Sequence, residues 1–312
     1  MTTRILITGG AGYIGSVLVP TLLADGHRVT VLDNMFFRQT SLLDVCSQPG
    51  FAFIRGDARD AALVRQELSK HDVVIPLAAL VGAPACDRNT ELATTLNLDA
   101  VRLIADSVSG DQLVIYPTTN SGYGIGQEGI YCDENTPLRP VSLYGRTKVD
   151  AERLLLDGGR AITVRLATVF GASPRMRMDL LVNDFVYRAL TDRAIVLFDA
   201  DFKRNYIHIR DVAGAFRFAL ANADRMRGEP YNVGLSDANL SKRELCLEIK
   251  KQLPRFEILE APTGEDPDQR NYIVSNAKLE ALGWRPHYSL ASGIEELIKV
   301  YRLLSVNPHG NV

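Results

Sequence analysis

Two side chains able to handle a proton stand one helical turn apart in the run Tyr144-Gly145-Arg146-Thr147-Lys148. From residue 144 to about 156 the apolar positions Val149, Leu154 and Leu155 recur at helical spacing, so Tyr144 and Lys148 share one helix face. An ammonium beside a phenol favours the phenolate, bringing a pKa of about 10 toward neutrality. The same lysine can hydrogen-bond a nicotinamide ribose. By itself the spacing describes an exposed tyrosine beside a solvated lysine just as well. Its surroundings favour chemistry. A strand over 112–116 runs into Pro117-Thr118-Thr119-Asn120-Ser121-Gly122-Tyr123-Gly124, a polar, glycine-rich exit where open α/β sheets place their reactive groups.

A redox partner for such a pair is written into the start of the chain. Ile5, Leu6 and Ile7 form an apolar run that reads as a buried parallel strand, broken by glycines at 9, 12 and 15. A helix pattern follows through Val17, Leu18, Leu22 and Leu23 and stops at Gly26; a second strand over 28–32 ends on Asp33. Strand, glycine turn, helix, strand and acid is the layout of a dinucleotide site. Gly9 permits the tight turn, Gly12 admits a pyrophosphate at the helix N-terminus, and Gly15 lets the helix lie on the strand. Asp33 stands roughly 20 residues on, where an acid accepts ribose hydroxyls. Its charge repels a 2′-phosphate, and Asn34 and Met35 offer no cation, which favours NAD over NADP, although Arg38 is close in sequence.

Bulk properties narrow the class. With 312 residues, ordinary globular composition and a net charge of −2, nothing points to a nucleic-acid partner held by bulk electrostatics. No apolar stretch is long enough to span a bilayer, the longest being 73–85 with two prolines. No membrane partner is expected. The first strand begins almost at Met1, with no room for a signal peptide, and the cysteines at 46, 86, 132 and 246 show no CxxC pairing. The expectation is a cytoplasmic protein with reduced thiols and no metal.

Along the chain, a third strand over 51–55 leads to Gly56-Asp57-Ala58, where Asp57 either meets the adenosine end of a cofactor or caps the helix starting near Ala61. A fourth strand over 73–75 ends in Pro76-Leu77-Ala78-Ala79, small residues that let backbone pass close to a cofactor. Helices are expected over 92–108, 178–190, 212–220, 241–252 and 290–303, and further strands over 161–166 and 231–234. The chain crosses between lobes near residue 171 and returns near 205. The resulting α/β fold is a Rossmann doubly wound parallel sheet (1–170 plus 205–235) with a smaller, interleaved C-terminal substrate lobe (171–204 plus 236–312).

These motifs together resemble the extended short-chain dehydrogenase/reductases, in particular the nucleotide-sugar epimerases and dehydratases. The likeness runs through Thr8-Gly9-x-x-Gly12-x-x-Gly15, Asp33-Asn34, Gly56-Asp57, Thr118-Thr119, Tyr144-x-x-x-Lys148, 165–171, 204–211 and Arg270, nearly the whole chain. The resemblance implies Tyr144 as acid/base, Lys148 as its tuner and Thr119 as the hydroxyl bridging substrate and tyrosine. It implies NAD held by Gly9, Gly12, Tyr13, Ile14, Gly15, Asp33, Asn34, Asp57, Ala58, Leu77, Ala78, Ala79 and Lys148. It implies a nucleotide-diphosphate sugar met by Ser121, Thr168 (where many relatives carry Asn), Asn183, Arg204 and Arg270, the two arginines holding the diphosphate. The null for Arg270 is a surface salt bridge, and for Asn183 a capped surface helix. A homodimer through helices around 90–108 and 144–157 is also implied.

The expected reaction is oxidation at C4 to a 4-keto sugar. Dehydratases of this type carry an Asp-Glu pair after the catalytic threonine, and 3,5-epimerising members a cysteine two places before the Tyr-Gly; here Asn120 and Ser121 stand there. That leaves a 4-epimerase or a 4-dehydrogenase. The stretches 118–124 and 175–185 further resemble a bacterial subgroup acting on GDP-heptoses for surface polysaccharides, in which a keto acid recycles NADH. An NADPH-dependent nucleotide-sugar reductase and a non-catalytic NAD-binding regulator are the alternatives. Asp33 weighs against the first, and the intact Tyr144 and Lys148 against the second.

Overall fold

The computed structural model describes residues 2–261 and 270–304. Seven parallel strands form the central sheet: β1 (Arg4–Thr8), β2 (Arg28–Asp33), β3 (Phe51–Arg55), β4 (Val73–Pro76), β5 (Leu113–Thr119), β6 (Ala161–Leu166) and β7 (Pro230–Val233). Their spatial order is β7-β6-β5-β4-β1-β2-β3. The order turns between β1 and β4, whose carboxyl ends therefore diverge into a crevice, the ligand position of doubly wound sheets. Both faces are covered, which is why the strands read as unbroken apolar runs. Ile5, Ile7, Val29, Val31 and Ile75 pack into one core layer, while Leu6, Leu32, Val74 and Val114 pack into the other. Each fully buried Leu or Ile contributes about 1.5–3 kcal/mol, so the sheet is a rigid platform for its loop ends.

Helix α1 (Gly15–Ala24) is apolar on most sides and is buried between the sheet and helix α4 (Ile209–Ala221). Helix α2 (Leu143–Asp157) lies against β5, capped by the Ser142 hydroxyl accepting from the Gly145 N–H at 3.1 Å. Helix α3 (Leu181–Thr191) and helix α5 (Leu290–Leu303) pack together in the smaller lobe, joined by the Tyr301 hydroxyl donating to the Asn183 carbonyl at 3.0 Å. The Ser241 expected at a helix start caps the helix Lys242–Gln252 in a reciprocal capping box with Glu244.

Several expectations need correction. Strand β5 runs on through Pro117-Thr118-Thr119, all buried, so the two threonines belong to the sheet rather than to its exit loop. Asp60, not Asp57, caps the helix Ala61–Leu68, accepting from the N–H groups of Ala62 and Leu63. The apolar stretch 73–85 leaves its strand and starts a short helix, Ala83–Arg88. The helix expected over 92–108 begins at Thr90 and widens into a π turn at Thr95–Asp99. The helix expected from 178 begins at Leu181. Residues 266–269, expected to lead into Arg270, lie outside the described part of the chain.

Candidate active site

The glycine turn is built as its spacing implies. Gly9 adopts φ +71°, and a Cβ there would stand 2.5 Å from the Ala78 backbone nitrogen. The small pair Ala78-Ala79 thus lies directly against the turn. A Cβ on Gly15 would stand 2.2 Å from the Gly10 carbonyl oxygen, so only glycine lets α1 start this close to the strand. Gly12 differs: a Cβ there would meet only the Gly9 carbonyl, at 3.2 Å. The protein leaves that side open, and no side chain caps α1 at Ile14. An uncapped helix N-terminus below open space fits a pyrophosphate. Gly12→Ala is accordingly expected to retain the wild-type thermal midpoint in the cofactor-free protein while losing NAD affinity at least tenfold; calorimetric titration checks it. Gly9→Ala is expected to lower the midpoint as well, because its strain is internal.

Asp33 is buried, and each carboxylate oxygen accepts one backbone N–H, from Ala11 at 3.0 Å and from Met35 at 2.8 Å. The remaining lone pairs are available to ribose hydroxyls. The Asn34 side chain accepts from the Phe36 N–H at 3.0 Å. The Arg59 guanidinium, hydrogen-bonded to Asp57, holds that carboxyl down to about 2, and Asn34 adds to the effect. Ala58 is buried beside it, and the Leu77 N–H donates to the Thr8 carbonyl at 2.8 Å across the crevice. The Tyr13 hydroxyl donates to the Gly171 carbonyl at 2.7 Å, tying the glycine turn to the smaller lobe.

At the other end of the crevice Thr119 closes β5 and caps the single turn Asn120–Tyr123. Its hydroxyl donates to the Ser121 hydroxyl at 2.8 Å and also hydrogen-bonds Tyr144. The Arg270 guanidinium reaches the Ser121 hydroxyl. The end of β5, helix α2 and Arg270 therefore meet on one chain of hydroxyls.

Electrostatics at Tyr144 depart from expectation. Burial raises the phenol above its usual value; the charges of Arg270 and Arg177 and the Thr119 hydrogen bond oppose that rise. Lys148, expected to supply the pull, instead lies with its ammonium 3.9 Å from the centroid of the Tyr116 ring. Burial pushes its own pKa down to about 7. The cationic influence on Tyr144 in this state comes from two arginines on the smaller lobe.

Thr168 opens the short strand Thr168–Phe170, which pairs in parallel with the strand Lys203–His208 that carries Arg204. Arg204 is buried, donates to the Lys203 carbonyl at 3.0 Å and lies 5.9 Å from the Tyr272 ring centroid. Asn183, expected at the substrate, is buried and hydrogen-bonded within the protein. Its oxygen accepts from the Gly171 N–H at 3.0 Å, and its amide donates to the Arg177 carbonyl at 2.9 Å and the Tyr13 hydroxyl at 3.3 Å. That clamp holds the loop bearing Arg177. His208, given no chemistry, is fully buried, hydrogen-bonded to Glu296 at 2.7 Å and stacked on Tyr288.

Three polar residues have structural settings that the sequence reading did not give. Asn97, in the π turn, accepts from the Leu80 N–H at 2.8 Å and donates to the Leu80 carbonyl at 2.9 Å, pinning the loop after β4. Asn120, next to Thr119, is buried with both ends of its amide unpartnered. Glu152 is buried in an ion pair with Arg165 at 2.6 Å. Only Glu152 had a signal, its place one turn after Lys148.

Comparison with known proteins agrees with this geometry. The profile of the NAD dependent epimerase/dehydratase family matches residues 5–234. The chain is 27% identical to the low-salt glycan biosynthesis protein Agl12 of Haloferax volcanii, over 95% of this chain and 98% of that one. It is 29% identical to a UDP-glucose 4-epimerase of Mycolicibacterium smegmatis, over 96% and 98% of the two chains. Among solved structures, the NAD complex of a Thermus thermophilus UDP-glucose 4-epimerase superposes with a TM-score of 0.81 at 28% identity, covering 96% of this chain and 99% of that one. With a dinucleotide crevice and a paired tyrosine and lysine at its mouth, the chain belongs to the NAD dependent epimerase/dehydratase family and is an NAD-dependent enzyme of the extended short-chain dehydrogenase/reductase type.

Proposed function

We propose that the enzyme oxidises the C4 hydroxyl of a nucleotide-diphosphate sugar, acting as a 4-epimerase or a 4-dehydrogenase in glycan assembly. The observation that carries this reading is the hydroxyl chain Ser121–Thr119–Tyr144 with no carboxylate at the two positions after Thr119. Removing water across C5 and C6 needs an acid and a base there, and an amide and a serine supply neither.

Thr119 orients the C4 hydroxyl, and Tyr144 takes its proton. When bound, NAD supplies the acceptor for the C4 hydride and a cationic ring that adds to the pull of the arginines on the phenol. Lys148 holds the ribose; Asp33 and the open face at Gly12 hold the rest. Arg204 and Arg270 are the proposed diphosphate anchors. Arg270 reaches the Ser121 hydroxyl in this structure. A phosphate offers a guanidinium charge-assisted hydrogen bonds, roughly twice as strong as neutral ones. Ser121 is the proposed contact to the sugar.

GDP-heptose is the specific substrate carried by the local resemblance, and the glycan role of Agl12 fits the same setting. No described helix is long and apolar enough to cross a membrane, in keeping with a cytoplasmic enzyme. A homodimer through the helices around 90–108 and 144–157 completes the proposal. The test is mass spectrometry of products from UDP-, GDP-, CDP- and dTDP-sugars, with and without a keto-acid acceptor. A product of unchanged mass and inverted C4 marks an epimerase. Loss of two hydrogens that depends on the keto acid marks a dehydrogenase. Loss of water would overturn the reading.

A further inference from the structure

Lys148 is 4% exposed, a severe setting for an ammonium. Groups from three elements crowd it. Tyr116 of β5 lies beneath it, Cys86 of the helix Ala83–Arg88 faces it, and Tyr144 and Glu152 stand one turn to either side on α2. Only one of these, Glu152, carries a carboxyl group. Burial pushes the Cys86 thiol up to about 11, and burial also raises the phenols of Tyr116 and Tyr144. Glu152 is 1% exposed and lies at the i+4 position, where side chains share a face with Cβ atoms about 5–6 Å apart.

Glu152 is also held still. Arg165 of β6 grips one carboxylate oxygen through two nitrogens, at 2.6 and 2.9 Å, and the other at 3.3 Å. The arginine's remaining nitrogen donates to the Tyr123 hydroxyl at 3.1 Å and to the Glu134 carbonyl at 3.2 Å. A buried ion pair often gains nothing in stability over apolar residues of the same size. Packing alone therefore gives no reason for charge at this place.

We propose that Glu152, fixed by Arg165, is a positioning residue for the reaction: the counter-charge that opposes burial and preserves an ammonium population on Lys148 at neutral pH. Burial drives the Lys148 pKa down to about 7 even with the Glu152 carboxylate acting in the opposite direction, so without this carboxylate the neutral amine would dominate. A neutral amine is a weaker donor than an ammonium to a ribose hydroxyl, the role proposed for Lys148. The inference rests on the proposed role of Lys148.

The experiment is a pH titration of the full-length protein, with and without NAD, followed by NMR of carbon-13-labelled lysine side chains. The Lys148 signal is assigned by its loss in Lys148→Arg, and the pH profile of kcat/KM is recorded in parallel. In Glu152→Gln the Lys148 midpoint is expected to fall by about one pH unit or more. The alkaline limb of kcat/KM should move down with it, giving roughly a tenfold loss near pH 8. Because Gln leaves Arg165 without its counter-charge, a second variant, Glu152→Met with Arg165→Met, removes the pair together. A purely structural role predicts that this folded double variant regains the wild-type limb; the proposal predicts that its Lys148 midpoint stays low. A wild-type midpoint in either folded variant overturns the proposal. The NMR reading needs no substrate, so it stands or falls separately from the C4 chemistry.

Discussion

Replacing Tyr144 with phenylalanine is expected to lower kcat by about 10²–10⁴-fold, the usual range for losing a positioned acid or base. Binding of the nucleotide sugar should change by less than threefold. The hydroxyl is the only group removed, and its hydrogen-bond partner is the Thr119 hydroxyl, not an anchoring arginine. Thr119 keeps its bond to Ser121, so the local turn should survive. Steady-state kinetics and calorimetric titration on the same preparation separate the two effects. A large rise in KM with kcat preserved would instead make Tyr144 a binding residue.

Arg165→Met is expected to destabilise the protein by about 3–5 kcal/mol, because it leaves the Glu152 carboxylate buried without a partner. The side chains of this pair are only 6% and 2% exposed. Set against a typical folding free energy of about 5–15 kcal/mol, the loss is a large fraction of the total. Urea denaturation should show a lower midpoint with an unchanged slope. The double variant with Glu152→Met should recover most of the loss, since two apolar chains of similar volume can replace a buried pair at little cost. A single-variant effect below about 1 kcal/mol would mean that water reaches the carboxylate. By contrast, exposed pairs such as Arg4–Asp72 are expected to contribute little.

The parts of this enzyme that were legible in its sequence are those fixed by local rules. Glycine spacing and apolar runs specified β1, α1 and β2, because the positive φ at Gly9 and the clash of a Gly15 Cβ with Gly10 are local facts. Strands β3 and β6 fell at their expected bounds; β6 is buried along its whole length and carries apolar residues on both faces, while β3 lies at the sheet edge and was marked by its aromatic and β-branched residues. Thr118 and Thr119 looked like loop because they are polar and follow a proline. They are strand because β6 pairs alongside them, with Thr119 opposite Leu166. The direction of a long side chain was not legible at all. Lys148 and Tyr144 share a face, yet the ammonium settles on Tyr116, and the cations bearing on the phenol come from residues 33 and 126 positions further along. Asn183 was expected at the substrate from its place near a helix start. Its partners Gly171 and Tyr13 are brought to it by the packing of the two lobes. Asn97 gave no signal, because a π turn has no sequence pattern to announce it.

The measurement that bears most directly on C4 oxidation by the Tyr144 site is a single turnover of the NAD-loaded enzyme with a nucleotide sugar deuterated at C4. The prediction is deuterium on the bound nicotinamide, formed more slowly than with unlabelled sugar, and none in Tyr144→Phe on the same timescale. Deuterium retained at C4 throughout turnover, or label transferred at an undiminished rate by the phenylalanine variant, would contradict it.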